Sequence, residues 1–182
     1  MSLSESPSGT APSRHSVLGS DDVARALRRM AHEIVERNHG SGDLVVVGVQ
    51  RGGAPIATRL AAHLGEILAQ PIEHVDLDVS FYRDDIGASP LRDAAPTTLS
   101  SDVSGRVVVL VDDVLFTGRT VRAALNALLT FGRPSAVHLA VLVDRGHREL
   151  PLRADYVGKN LPTSREERVV ATLDGVWIER LP

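Results

Sequence analysis

The sequence predicts an α/β domain built on a mainly parallel sheet that is flanked by helices. Apolar, β-branched runs at 44–49, 107–111 and 136–143 are typical of strands that are buried on both faces. Segments with apolar residues at every third or fourth position, as in an amphipathic helix, precede the run 44–49 and follow the runs 44–49 and 107–111. Because strands and helices alternate along the chain, we expect the strands to lie parallel in one sheet.

The bulk composition limits the class of protein. The chain has 182 residues, which suits one domain, and its 43% hydrophobic and 3% aromatic content indicates an aliphatic core. It contains no cysteine, which excludes disulfides, thiolate catalysis and zinc–thiolate sites. A formal charge of −3 argues against indiscriminate nucleic-acid binding but leaves room for a local basic face. No apolar run approaches a membrane span and no secretory leader opens the chain, so we expect a cytoplasmic protein with no membrane partner.

The first helix is expected to follow a mobile extension. Residues 1–18 are rich in Ser, Pro and Gly without periodicity, which is typical of disorder, so the domain is predicted at 19–182. Ser20 is a suitable cap for the helix, and the sequence Asn38-His39-Gly40 favours its end.

This helix has an apolar face and an unusually basic opposite face. Its apolar residues recur every three or four positions, which places them on one side. The other side carries Arg25, Arg28, Arg29 and His32. Such a face is usually a solvated helix exterior, partly neutralised here by Glu33 and Glu36.

A loop with two glycines joins the first buried strand to a second helix, whose first turn Pro55 suits. The loop consists of Gln50, Arg51, Gly52 and Gly53. The glycines let backbone N–H groups point at an anion, and the arginine provides a planar fork of donors for it. An ordinary strand-to-helix turn is the alternative.

A third strand and a long polar segment come next. Residues 72–82 alternate, and one face carries Val75, Leu77, Val79 and Phe81. The following residues contain Pro and Gly and no periodic pattern. Because loops of this length are usually functional lids or disordered segments, we expect a flexible lid at about 83–104.

The stretch 107–120 combines a buried strand, two acids, a short loop and the start of a helix. Asp112 and Asp113 follow the apolar run, at the sheet edge where ligands of α/β domains bind. The helix that opens after Thr117 can hold a phosphate at its amino end through N–H groups and the helix dipole. Carboxylates suit sugar hydroxyls or the water shell of Mg²⁺. The stretch therefore predicts a ribose-5-phosphate cradle; an ordinary turn with a solvated acid pair is the alternative.

The last third of the chain predicts one more buried strand, a short strand and a hairpin. Asp144 to His147 follow the run 136–143 at the same sheet edge. Residues 154–158 are expected to form the short strand. Residues 168–173 and 176–181 are expected to form a closing hairpin that turns at Asp174-Gly175.

Several segments resemble a known family. Residues 108–120 resemble the phosphoribosyl-pyrophosphate (PRPP) motif of type I phosphoribosyltransferases. Residues 110–124, 141–151 and 153–160 resemble, more closely still, the PyrR family of bifunctional pyrimidine operon attenuators and uracil phosphoribosyltransferases. The resemblance implies the type I phosphoribosyltransferase fold, with a small base-binding hood at about 144–182.

The resemblance implies two activities. One is the conversion of uracil and PRPP to UMP and diphosphate with Mg²⁺ as cofactor. The other is regulation of pyrimidine biosynthesis, at transcription or translation, by a protein that senses UMP or UTP and binds the pyrimidine operon leader mRNA. The alternatives are an RNA-binding attenuation protein with weak or vestigial enzyme activity, and a purine or orotate phosphoribosyltransferase. Because family members form dimers or larger assemblies, a homodimer or higher homo-oligomer is expected.

The resemblance also implies roles for single residues in PRPP binding. Asp112 and Asp113 hold the ribose hydroxyls and, through water, the metal. The rest of the phosphate and ribose site is Val114, Leu115, Phe116, Thr117, Gly118, Arg119 and Thr120. Pyrophosphate is held by the loop Gln50, Arg51 and Gly52, in which Gln50 departs from the threonine of family members.

Further roles concern the leaving group, the base and RNA. Arg83 and Arg145 reach the pyrophosphate, although a surface salt bridge is the alternative for Arg145. Tyr156 stacks on the base, and the backbone of Val157 reads the base edge. The RNA-binding surface consists of Arg28, Arg29, His32, Arg37, His147, Arg148, Arg153 and Lys159.

Overall fold

The computed structural model describes residues 14–40, 43–80 and 102–180. Their elements are β1 (Arg14–Gly19), α1 (Ser20–Arg37), β2 (Leu44–Val49), α2 (Gly53–Leu68), β3 (Glu73–Leu77), β4 (Val107–Leu115), α3 (Arg119–Leu128), a 3-10 turn (Leu129–Phe131), β5 (Ala136–Asp144), β6 (Tyr156–Asn160), β7 (Glu167–Thr172) and β8 (Gly175–Arg180). Five strands pair in parallel in the order β3-β2-β4-β5-β6. The predicted parallel α/β sheet is therefore confirmed.

Different helices cover the two faces of this sheet. Val46 and Val109 belong to a core that includes α1 and α2, whereas Val45 and Leu110 belong to a core that includes α3. All four side chains are fully buried. Because successive side chains point to opposite faces, double coverage requires the unbroken apolar runs seen in β2 and β4.

The amino end of α1 is capped differently from the prediction. Gly19 is the cap residue, and the Asp22 carboxylate accepts the Gly19 N–H at 3.2 Å. This bond, together with a hydrogen bond from Arg25, lowers the pKa of Asp22. The prediction of Ser20 as the cap was wrong, because an acid in the first turn already binds the N–H of the preceding residue. The helix ends at Arg37 with Asn38 as its C-cap, as predicted.

The predicted extension 1–18 reaches too far into the chain. Arg14–Gly19 form β1, which pairs antiparallel with β8 in a second, three-stranded sheet of order β1-β8-β7. The strand is largely exposed and depends on a partner that lies over 150 residues away in the chain, so its own sequence shows no strand pattern. Residues 1–13 lie outside the described residues.

The structure corrects the bounds of the predicted third strand and of the predicted lid. β3 is shorter than the predicted 72–82, and Val75, Leu77 and Val79 share the α3-side core as expected. Phe81, Arg83 and most of the lid prediction lie outside the described residues. Its last residues were predicted wrongly, because Val103 is fully buried in the core.

The carboxyl-terminal hairpin is confirmed. β7 and β8 pair antiparallel, and Thr172 faces Gly175 across the turn. None of the helices in the described ranges is both long and apolar enough to cross a membrane.

Candidate active site

The site lies where β4 extends past its neighbour β2. The last pair between these strands is Gly48 with Val111, whereas β4 stays paired with β5 as far as Leu115 and Asp144. The two acids therefore lie inside β4 and not beyond its end, which corrects the predicted strand boundary. From Asp112 onward, β4 is no longer paired with β2. The loop that follows β2 can therefore approach this edge of β4.

A pocket of about 350 Å³ occupies this edge. It is lined by Asp112, Val114, Leu115, Phe116, Thr117, Gly118, Arg119, Thr120, Val121 and Glu149. All predicted phosphate and ribose residues except Asp113 are in this set. Gly118 precedes α3 with φ 91°, a conformation that favours glycine, and the only side-chain bond to an N–H group described at this end of α3 is a long one, 3.4 Å from the Arg119 N–H to Thr117 Oγ1. The helix amino end is therefore suited to an anion.

The two acids face different neighbours. Asp112 is 5% exposed, lines the pocket and accepts the Asp113 N–H at 2.9 Å. The Asp113 carboxylate accepts the Val114 N–H at 2.7 Å. A Cβ atom built on Gly52 would lie 2.0 Å from Asp113 Oδ2, so this carboxylate rests against the Gly52 backbone. The acids do not form one side-by-side pair.

The predicted pyrophosphate loop adjoins Asp113. The Gln50 N–H donates to the Leu77 carbonyl at 2.9 Å, and Gly52 is the cap residue of α2. Gly53 packs on the β4 backbone, since a Cβ there would lie 2.3 Å from the Val111 carbonyl oxygen. The Arg51 side chain is exposed. Glycines at 52 and 53 therefore let this loop approach the strand that carries the acids.

The donor set fits a metal ion that arrives with a phosphate ligand. No cluster of three or more potential metal-ligating side chains occurs in the described part of the chain. Asp112 and Asp113 each already accept one backbone N–H. Mg²⁺ is commonly held by one or two carboxylates plus substrate phosphates and water, and these two acids suit that arrangement.

Arg145 follows β5 and is buried, so the alternative of a surface salt bridge was wrong. Its Nε donates to Thr163 Oγ1 at 3.0 Å and its Nη2 to the Ser164 carbonyl at 2.6 Å. The guanidinium carbon lies 4.2 Å from the centre of the Phe116 ring. Burial lowers the pKa of Arg145, and Glu167 opposes that shift. Through these contacts Arg145 links Phe116 of the phosphate loop to the segment after β6.

A second pocket of about 340 Å³ adjoins the first through Val114 and Phe116. It is lined by Val114, Phe116, Arg145, Arg165, Glu167, Arg168 and Val169. The last three belong to β7, an edge strand of the three-stranded sheet, so part of its backbone polar groups are not used in pairing with β8. The sequence analysis placed this segment in the predicted base-binding hood but named none of its residues for the base, because the run Arg165 to Arg168 is entirely charged.

The predicted base-binding residues lie elsewhere. Tyr156 is 3% exposed, and its hydroxyl is 3.3 Å from Nδ1 of His138, whose pKa is lowered mainly by burial. The ring belongs to the core beneath α1, at the level of Ala140 in β5. The Val157 carbonyl accepts a hydrogen bond from Arg29 at 3.0 Å. These positions argue against the stacking and edge-reading roles, because both residues are engaged in packing α1 against β6.

Some of the predicted RNA-binding residues form an exposed strip along α1 and β6. The Arg37 side chain bonds Asp155 at 2.9 Å, and Lys159 acts electrostatically on Asp22, so α1 runs antiparallel to β6. Arg28, His32, Arg153 and Lys159 are exposed. The Arg29 guanidinium, by contrast, already makes bonds within the protein. Its Nη2 donates to the carbonyls of Val157 and Gly158, and its Nη1 pairs with Glu33.

His147 and Arg148, two further residues of the predicted RNA surface, are less exposed. Both lie in the segment after β5 and are only partly exposed. The His147 ring lies 2.5 Å from the Thr163 carbonyl oxygen. Arg148 donates to the carbonyls of Leu115 and Phe116 in the PRPP motif. Both side chains are thus engaged in bonds within the protein.

Comparisons with known proteins agree with this architecture. A sequence model of the phosphoribosyl transferase domain matches residues 14–173. The chain is 55% identical over 175 residues to the bifunctional protein PyrR of Roseiflexus sp. (strain RS-1), covering 90% of this chain and 94% of the relative. It is 52% identical over 178 residues to bifunctional protein PyrR of Deinococcus radiodurans, covering 94% and 96%.

Solved structures show the same fold at low identity. The hypoxanthine phosphoribosyltransferase of Trypanosoma cruzi superposes with a TM-score of 0.71 at 21% identity, covering 92% of this chain and 97% of the other. A hypoxanthine phosphoribosyltransferase from Staphylococcus aureus gives a TM-score of 0.68 at 20% identity, covering 92% of each chain. The predicted type I fold and the resemblance are confirmed: the chain is a phosphoribosyltransferase and belongs to the PyrR family.

Proposed function

We propose that this chain is a uracil phosphoribosyltransferase that also acts as a uridine-nucleotide-sensing, RNA-binding regulator of pyrimidine biosynthesis. The observation that carries the enzymatic part is the pair of adjoining pockets at the carboxyl edge of the parallel sheet. One pocket has the donors for a sugar phosphate, and the other is large enough for a small base. The name of the relatives, bifunctional protein PyrR, supports a second activity.

In the proposed mechanism, the first pocket holds the ribose 5-phosphate part of PRPP. The backbone N–H groups and hydroxyls of residues 117–120 bind the 5-phosphate. Asp112 accepts a hydrogen bond from a ribose hydroxyl, and Asp113 lies near the anomeric carbon. As the bond from that carbon to diphosphate breaks, positive charge develops on the ribose, and fixed carboxylates stabilise it. A new bond from the uracil ring nitrogen to that carbon completes the transfer, and the proton of this nitrogen leaves to the diphosphate or to water.

The departing diphosphate is proposed to lie against Gln50, Arg51 and Gly52. Gly52 allows the backbone to approach, and the exposed Arg51 can turn toward two phosphate oxygens. Asp112 and Asp113 would hold Mg²⁺ through water, and the ion would supply positive charge that neutralises the leaving group. Arg83 and Arg145 remain proposed contacts; Arg145 would have to exchange its bonds to Thr163 and Ser164 for the diphosphate.

The base is proposed to occupy the second pocket. Val114 and Phe116 give it an apolar wall, and Arg145 and Arg168 flank it. Backbone groups on the outer edge of β7 can donate to and accept from the edge of uracil, which carries both kinds of group. Because this pocket opens next to Asp112 through Val114, the base would be placed beside the anomeric carbon.

A panel of bases tests the enzymatic proposal. Purified protein is incubated with PRPP, Mg²⁺ and equal concentrations of uracil, hypoxanthine, guanine or orotate, and each nucleotide product is quantified. UMP formation is expected to exceed every other product by about a hundredfold or more, since buried polar groups left unpaired by the wrong base are costly. Comparable formation of IMP, GMP or OMP would contradict uracil specificity.

The regulatory activity has its own structural support. The exposed basic residues Arg28, His32, Arg153 and Lys159 lie on α1, on β6 and just before β6, and they suit contacts with RNA phosphates. The net charge of −3 restricts such contacts to a local surface. Binding of UMP or UTP in the active site would then change the affinity of this surface for RNA according to the supply of uridine nucleotides. We further propose a cytoplasmic location and a homodimer or larger assembly.

Replacing Arg28 with glutamate is expected to weaken binding of a labelled pyrimidine operon leader RNA about tenfold at physiological salt, and to lower the salt dependence of binding by about one ion. Arg28 is preferable to Arg29 for this purpose, because Arg29 also secures β6. The matched control is Arg59→Glu, which changes an exposed arginine of α2. Equal RNA affinity of Arg28→Glu, Arg59→Glu and the unmodified protein would refute this RNA surface.

A further inference from the structure

The segment that follows β5 is bonded to the loop that carries the PRPP motif, residues 115–119. Arg148 Nη1 lies 3.3 Å from the Leu115 carbonyl oxygen and 2.7 Å from the Phe116 carbonyl oxygen. The same guanidinium donates to the carbonyls of Leu152 and Gly146 and to the Asp144 carboxylate. Five acceptors thus surround a group that has five N–H donors. Few of its donors remain for any other ligand.

Glu149 reaches the same loop from its other side. Its backbone N–H donates to the Thr117 carbonyl at 3.0 Å, and the next N–H, of Leu150, donates to the same oxygen at 3.2 Å. Its carboxylate Oε2 accepts from both Nε and Nη2 of Arg119, each at 2.9 Å. Its other oxygen lies 3.9 Å from Arg165, which lines the second pocket.

These contacts determine which groups of the loop can face a phosphate. The carbonyl oxygens of residues 115, 116 and 117 are all bonded to the segment 148–150. While they are bonded in this way, the peptide planes cannot rotate their oxygens toward an anion. A carbonyl oxygen turned into the pocket would repel a phosphate, whereas the N–H groups of the loop attract it.

We propose that Arg148 and Glu149 are positioning residues that hold the phosphate loop in its anion-binding shape, Arg148 through the carbonyls of residues 115 and 116 and Glu149 through its ion pair with Arg119. The proposal deepens the proposed function and rests on it, since it assumes that PRPP binds in the first pocket. Neither residue touches the reacting atoms in this role. Their effect is on PRPP binding, transmitted through the backbone of the loop for Arg148 and through the Arg119 side chain for Glu149.

The test compares Arg148→Lys, Arg148→Gln and Glu149→Ala with the unmodified chain, and with Arg59→Lys as a matched control. PRPP binding is measured by calorimetry without RNA, and KM for PRPP and for uracil by steady-state kinetics. The Arg148 and Glu149 variants are expected to raise Kd and KM for PRPP between about tenfold and a hundredfold, since small displacements of a positioned group have such effects. KM for uracil is expected to change less than about threefold.

Arg148→Lys separates positioning from direct RNA contact. Lysine keeps the positive charge but lacks the planar fork that bonds two adjacent carbonyls. A residue that only contacted RNA phosphates would tolerate lysine and leave PRPP affinity unchanged in both Arg148 variants. Thermal unfolding establishes which variants are folded. Glu149→Ala keeps the backbone bond to Thr117 and removes only the carboxylate that holds Arg119, so unchanged PRPP affinity in this folded variant would overturn the Glu149 part of the role.

Two results can be told apart. Folded Arg148 and Glu149 variants that bind PRPP as tightly as the unmodified chain would overturn the positioning role. An unmodified chain that binds PRPP but forms no UMP would instead contradict the uracil assignment, and the positioning role would then be judged from PRPP affinity alone.

Discussion

Replacing Asp113 with asparagine is expected to leave a folded protein and to lower the turnover of PRPP about a hundredfold, equivalent to about 3 kcal/mol. Asparagine keeps an oxygen that can accept the Val114 N–H, so the end of β4 should be preserved. It loses the negative charge that stabilises the ribose as diphosphate departs. Steady-state kinetics with saturating uracil and PRPP measures the effect, and circular dichroism verifies the fold.

The control for this substitution is Asp21→Asn, which removes one carboxylate from the exposed first turn of α1. Its turnover should match that of the unmodified chain. If Asp113→Asn retains full activity while folded, the assignment of Asp113 to the transition state is refuted.

Replacing Gly52 with alanine is expected to lower kcat/KM for PRPP between about tenfold and a hundredfold through displacement of Asp113. The new Cβ would lie 2.0 Å from Asp113 Oδ2 and 2.4 Å from its Cγ, so the carboxylate must move. Gly52 has φ −69°, which alanine adopts readily, and the obstructing group is the end of a side chain. The melting temperature should therefore change little while activity falls.

Gly19→Ala is the matched control, because a Cβ there meets only Asp22 Oδ2, at an ordinary 3.9 Å. A double variant, Gly52→Ala with Asp113→Asn, should be little worse than Asp113→Asn alone, since both act on one carboxylate. Additive losses in the double variant would show that Gly52 acts by another route. Unchanged kinetics of Gly52→Ala would contradict the contact itself.

The strands and the phosphate loop could be predicted because their signals are local. β2 has the predicted bounds, 44–49, since a strand buried on both faces needs an uninterrupted apolar run. The turn before α3 could be located because Gly118 is needed at a positive φ and the apolar helical spacing resumes at Val121. The parallel arrangement follows from the alternation of strands and helices, which places Asp112, Asp113 and residues 50–52 at one edge.

The sequence could not show the surroundings of residues whose packing depends on a distant partner. Tyr156 was assigned to the base, but α1 packs over β6 and encloses its ring. Arg29 was assigned to RNA, but its donors reach the β6 carbonyls of residues over 120 positions away. β1 was assigned to a disordered extension, although β8 provides its hydrogen bonds.

The sequence by itself determined the α/β class, the phosphate loop and the family, because each is encoded in contiguous residues whose spacing and backbone needs can be read directly. Only the tertiary structure decided which groups surround that loop. It placed Gly52 against Asp113, Arg148 on the carbonyls of Leu115 and Phe116, and β7 beside Val114. The physical reason is that hydrogen bonds and van der Waals contacts act over a few ångströms, so they are set by how the sheets and helices pack and not by separation along the chain.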